Sequence, residues 1–309
     1  MKKNNILMFA LLGAMACVSC QEAFEIEEKQ QPVEPAKQWT LTVQATKGVE
    51  TKALNLVQTQ GQNDVLDAYW MNGEKVDVYL DGTYKATLAV SAPSGGSKDA
   101  TLTASLSSLS GIENGATLTL LFPGREDHAW NYAGQDGSAP DETGSLATQY
   151  DYALATVTAT VEGSTITTTH ADFQNQQNLY RFGFKKKADN VATDYTIPVN
   201  VDHFVVSATN LVASRTFSNG SWTSKKEDIT VTPAYPTSEL LYVALRIEQA
   251  TAADEEFLFK VFGPNSDYYE GTQTIPAGYL TNGKFISAKG VKVDQLQLST
   301  QNAAPATTF

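Results

Sequence analysis

The chain has 309 residues, 42% of them hydrophobic and 18% charged, which is enough apolar material for a sizeable core. Its 34 acidic residues against 22 basic ones leave a net charge of −12, which argues against nucleic acid or anionic lipid as a partner. Both cysteines, Cys17 and Cys20, stand near the start, so nothing after them offers a disulfide framework, a thiolate metal site or a cysteine nucleophile.

Residues 1–20 read as a lipoprotein signal peptide. Met1-Lys2-Lys3-Asn4-Asn5 precedes an apolar run, Ile6 to Ala16, too short to span a bilayer, and small residues lead into a cysteine. The pattern resembles a bacterial lipobox, in which the cysteine becomes the acylated first residue. Cys20, after Val18-Ser19, is the favoured site and Cys17 the alternative. The acidic stretch Gln21 to Glu28 and the proline-containing run to residue 37 form a tether, since neither carries the periodicity of a packed element.

From Trp39 onwards the hydrophobic period is two. Trp39-Thr40-Leu41-Thr42-Val43-Gln44-Ala45 alternates without a fault, as a strand with one buried face does. Lys75–Leu80, Tyr84–Val90, Ala100–Leu106, Thr117–Phe122, Leu154–Val161 and Ser164–Thr169 follow the same rule. A second set comprises Leu179–Lys185, Tyr195–Val206, Ser221–Ser224, Asp228–Val231, Leu240–Ile247, Phe257–Phe262 and Val291–Leu298. Turn pairs such as Asp81-Gly82, Glu162-Gly163 and Asn219-Gly220 punctuate them. Many short strands with Gly-rich turns predict an all-β fold of antiparallel β-sandwiches, two by number. The polar stretch Thr167 to Asn178 is the expected crossover, giving an N-terminal domain over 38–172 and a C-terminal domain over 173–309.

Catalytic chemistry is not visible. His128, His170 and His203 lie far apart, outside any metal-ligand spacing, and there is no nucleophile elbow or phosphate loop. No cofactor is expected and no metal, although Asp136, Asp141 and Glu142 in the Gly-rich segment Pro123–Ser145 could offer hard oxygen ligands to Ca²⁺. Trp130 and Tyr132 in the same segment are candidates to stack on a sugar ring, with Trp222 as a third; the alternative is that they pack back on the sandwich.

Thr51-Lys52-Ala53, followed by Trp70-Met71-Asn72-Gly73-Glu74-Lys75-Val76-Asp77-Val78-Tyr79, resembles the opening of the fimbrillin (Mfa-like) family of type V pilus subunit lipoproteins. Leu121-Phe122-Pro123-Gly124, Tyr150-Asp151-Tyr152-Ala153-Leu154-Ala155 and His170-Ala171-Asp172 with Leu179-Tyr180-Arg181-Phe182 resemble its later landmarks in the same order. The resemblance implies two tandem transthyretin-like sandwich domains and a precursor carried by its lipid to the outer membrane of a Gram-negative cell. It also implies a trypsin-like cut after a basic residue, which releases the first strand and opens a groove for a strand from another pilin subunit. Here the cut would fall at Lys52-Ala53, or alternatively at Lys47, where the family commonly has Arg. The donor segment would be Val291 to Leu298, with Val291, Val293, Leu296 and Leu298 as its apolar residues, unless that strand completes its own domain. Three functions follow as expectations: a structural or accessory pilus subunit, a tip or surface adhesin that keeps its first strand and binds a host or bacterial ligand, and a glycan-binding surface lipoprotein.

Overall fold

The computed structural model describes residues 38–47, 69–109, 111–139, 146, 149–188, 193–248 and 253–296, together with the backbone of 55–57 and 65–67. Strand β1 (Trp39–Lys47) precedes a short hairpin of β2 (Asn55–Val57) and β3 (Val65–Asp67). The hairpin β4 (Lys75–Leu80) and β5 (Thr83–Ser91) leads to β6 (Asp99–Leu106) and β7 (Thr117–Phe122). A long loop carries β8 (Ala129–Asn131); β9 (Ala153–Glu162), β10 (Thr165–Thr168) and β11 (Ala171–Asn175) follow.

The second half opens with β12 (Asn178–Lys186), β13 (Ile197–Pro198) and β14 (His203–Ser207). Next come β15 (Leu211–Ser218), β16 (Ser221–Lys226), β17 (Ile229–Val231) and β18 (Leu241–Ile247). The last strands are β19 (Glu255–Phe262), β20 (Tyr268–Ile275), β21 (Phe285–Lys292) and β22 (Asp294–Leu296). The fold is all-β, as the two-residue period requires.

In the first half the hydrogen-bonded ladder closes on itself. The order β1-β11-β9-β7-β4-β5-β6 returns to β1 through a β1–β6 pairing, and β10 bridges β1 and β9. β1 is the closing strand. It runs antiparallel to β6 from Trp39↔Leu106 to Thr46↔Asp99, and parallel to β10 and then β11 on its other edge. Leu41, Val43 and Ala45 point inward to a core with Trp70, Val78, Leu88, Leu120 and Phe173, while Trp39 is only partly covered.

The second half is a pair of facing sheets, β13-β12-β18-β15-β16 with β21 on β12, and β17-β14-β19-β20-β22. Aromatics interlock between them: Phe182 meets Phe259 edge-on at 4.9 Å and Phe184 lies 5.0 Å from Phe204. Strand β8, from the loop of the first half, adds to this side by pairing with β15. Its neighbours Tyr132, Leu146, Tyr150 and Tyr152 belong to the second core as well.

Two sequence expectations are corrected here. The Gln/Asn-rich stretch 167–178 is not a bare crossover, because it holds β11 with Phe173 fully buried. The change of sheet comes at Gln176-Gln177, so a boundary at 172/173 cuts through β11. The run Tyr195–Val206 is likewise not one strand: β13 stops at Pro198 and β14 begins at His203. Between them Val199 and Val201 donate backbone bonds to Phe184 and Thr237, outside the regular ladder.

Candidate functional site

The end of β1 is the most unusual place among the described residues. Alternation along the strand turns positions 41, 43, 45 and 47 to the inside, so the fourth inward side chain is a lysine. A buried ammonium is costly unless it is paired and hydrogen-bonded. The Lys47 side chain is 4% exposed, and its Nζ lies 3.2 Å from Asp151 Oδ2 and 3.3 Å from Glu74 Oε2. It also donates to the Tyr69 carbonyl at 3.3 Å and sits 3.9 Å from the Phe122 ring centre and 4.6 Å from that of Trp70.

Asp151 is as deeply buried as Lys47, at 4%, whereas Glu74 keeps 23% of its side chain exposed. Burial raises the Glu74 carboxyl above its ordinary range, against the opposing pull of Lys47. Glu74 Oε2 accepts a further bond from the Met71 backbone N–H at 2.9 Å, which closes the turn before β4. Trp70 is held edge-on between Phe122 and Phe173, at 5.2 and 5.1 Å. Trp70, Glu74, Phe122 and Asp151 come from three of the segments on which the family resemblance rests, and they meet around one ammonium. Nothing in their spacing announces that convergence.

Lys47 therefore fits poorly as a cleavage site: a protease would have to draw its side chain out of this socket. Lys52 and Ala53 lie outside the described residues, as do Cys17 and Cys20.

The sugar-platform expectation is corrected. Trp130 and Tyr132 are buried, because the long loop folds back on the second half through β8. Trp130 stacks on Tyr152 at 5.1 Å and leans on Trp222 at 4.3 Å, while Arg215 caps Trp222 at 4.2 Å. Burial and the neighbouring Arg246 lower the Arg215 guanidinium to about 10. Gln135, also buried, works as a piece of backbone: its Nε2 donates to the Tyr132 and Ala244 carbonyls at 2.8 and 2.7 Å, and its Oε1 accepts from Ala244 N–H at 2.7 Å.

Of the three possible calcium ligands only Asp136 is among the described residues. Asp136 Oδ1 accepts from the Ser138 amide and hydroxyl at 3.0 and 2.7 Å, and Asp141 and Glu142 lie outside the described residues. The histidines stay apart. His128 Nδ1 is 2.5 Å from the Tyr79 hydroxyl, His170 Nε2 is 2.7 Å from Thr46 Oγ1, and His203 stacks on Phe262 at 4.3 Å.

Within the single chain, the described apolar residues of the candidate donor segment lie as follows. Val291 and Val293 are fully buried, β21 runs along β12, and Val293 N–H bonds the Lys185 carbonyl at 3.0 Å. Leu296 is 42% exposed on β22 at the sheet edge, and Leu298 lies outside the described residues.

The sequence matches no protein-family profile and no curated protein. Among solved structures, a candidate cell adhesion protein of Bacteroides uniformis aligns over 83% of this chain and 97% of its own, at 12% identity and a TM-score of 0.41. A candidate polysaccharide-binding protein of Bacteroides thetaiotaomicron aligns over 74% and 77%, at 13% identity and a TM-score of 0.36. A point mutant of the major pilin of Streptococcus pyogenes aligns over 83% and 97%, at 8% identity and a TM-score of 0.23.

Proposed function

We propose that this chain is a non-enzymatic structural or accessory subunit of a surface fimbria, exported as a lipoprotein on Cys20 to the outer membrane. In this reading its halves are tandem transthyretin-like domains, and its partners are other pilin subunits joined by strand exchange. The observation that carries the proposal is the place of β1. It closes the first half between β6 on one edge and β10 and β11 on the other, and it lies between an acylatable cysteine and Lys52.

Loss of β1 would uncover the groove lined by the partners of Leu41 and Val43, each worth about 1.5–3 kcal/mol of burial. It would also leave two strand edges with unpaired backbone groups. A strand from another subunit meets both needs at once. With Lys47 held in its socket, the cut that frees β1 falls at Lys52.

A surface adhesin that keeps β1 is the second reading, and the buried Lys47 favours it by locking the strand in place. Low-dose trypsin on the purified precursor separates the two. The fimbrial reading expects a new N-terminus at Ala53 and, once subunits sheared from surface fimbriae are added, assembly with them on size-exclusion chromatography. A cut product that joins none of them overturns it, and a lipidated Cys20 terminus on intact cells supports the adhesin.

A further inference from the structure

The groove that β1 fills is not simply apolar, because it ends in a charged socket. Two carboxylates, Glu74 and Asp151, and the faces of Trp70 and Phe122 surround the Lys47 ammonium, with Asp151 shut off from solvent. When β1 departs, the cation departs with it. Any replacement strand that ends in a neutral or acidic residue leaves Asp151 buried without a counter-charge, which is strongly unfavourable.

We propose that this groove accepts a strand of the order apolar-x-apolar-x-small-x-Lys/Arg, supplied by a different kind of subunit. The pattern is that of Leu41-x-Val43-x-Ala45-x-Lys47 itself, and the inference rests on the strand-exchange reading given above. A second copy of this chain does not meet the requirement through its Val291–Leu298 segment, since residues 293–309 contain no Lys or Arg. Ile286-x-Ala288-x-Gly290-x-Lys292 has the right order, but β21 is paired along β12 inside its own half. The socket thus selects for a basic strand and against self-addition through those residues. Arg serves as well as Lys, because its fork can bond both carboxylates.

The test uses residues 21–309 with a sequence-specific protease site inserted after Gly48, so that β1 can be cut from the rest without touching other lysines. The cut protein is unfolded in urea, separated from its excised N-terminal segment and refolded with an equimolar mixture of synthetic peptides. These are residues 39–47, the same peptide with Lys47→Arg, Lys47→Met or Lys47→Glu, and residues 291–299. Native mass spectrometry reads which peptide is retained. The Lys and Arg peptides should be kept about 100-fold better than the Met and Glu peptides, and residues 291–299 should be excluded. Equal retention of the Lys47→Met peptide or of residues 291–299 overturns the socket while leaving strand exchange standing. Failure to retain even residues 39–47 overturns strand exchange itself. In protein carrying Glu74→Gln and Asp151→Asn the preference should reverse towards the Lys47→Met peptide, and an unchanged preference for Lys rejects the carboxylates as its source.

Discussion

Gly82 and Gly220 meet tip to tip: a β-carbon placed on Gly82 would lie 1.6 Å from the Gly220 backbone nitrogen. The two glycines end the β4–β5 and β15–β16 hairpins, one from each half, and both turns need positive φ, at 73° and 74°. Gly82→Ala should therefore cost more than about 2 kcal/mol, since the left-handed conformation and a backbone collision add together. Gly163→Ala, also at positive φ but with open space around it, should cost only about 1 kcal/mol. Urea unfolding of the two variants compares them directly, and equal losses would mean that the hairpin tips do not touch in solution.

Removing the Lys47 ammonium should hurt more than removing the whole charged cluster. Lys47→Ala strands Asp151 and Glu74 and is expected to cost about 3–5 kcal/mol. The combination Lys47→Met, Glu74→Gln and Asp151→Asn should recover most of that loss, because a neutral set is not penalised for burial. Denaturant titration of both variants checks it, and the triple variant being the less stable would refute the argument.

Stability should depend on pH through Glu74. Its carboxyl is raised above the ordinary value of 4.5, chiefly by burial. The folded chain therefore holds that proton more tightly than the unfolded chain does. The group's contribution is fully present below pH 4.5 and is lost as pH rises through the folded value. Glu74→Gln should remove this slope. The free-energy gap between wild type and variant should drift as pH rises above 4.5 and level off once pH has passed the folded value, and a gap that is flat throughout would contradict it.

Trp130→Ala should behave as a core deletion. A loss of about 3–5 kcal/mol is expected from its burial against Tyr152 and Trp222. Migration in polysaccharide-containing gels should be the same for both proteins at temperatures where both are folded. Slowed migration of wild type, abolished by the substitution, would restore the sugar-binding expectation.

Strands differ in how plainly the sequence announces them. Thr117–Phe122 is legible to its ends because its inward residues are apolar and the run stops at Pro123. β11 is hidden because only Ala171 and Phe173 face the core, and the Gln and Asn beside them look like linker. It is held between β9 and β1, the latter more than a hundred positions away in the chain, and local periodicity carries no trace of that pairing. Gln135 gives no signal either, since a glutamine in a Gly-rich loop looks solvated until a strand with free backbone groups comes beside it. At the candidate site the strand itself is legible from its alternation. The socket is not, because Glu74 and Asp151 acquire their meaning only when three separate segments converge.

The position of β1 also sets the order in which the first half is put together. It is made before every one of its partners, yet Trp39 waits for Leu106 and Lys47 for Phe173 before either is paired. Such long-range closures are slow, because the entropy of bringing the ends together must be lost before any contact compensates. The strand nearest the start of the chain is thus among the last to seat during folding. A segment that arrives late into an otherwise assembled shell is also the one whose place can be taken with the least disturbance to the rest.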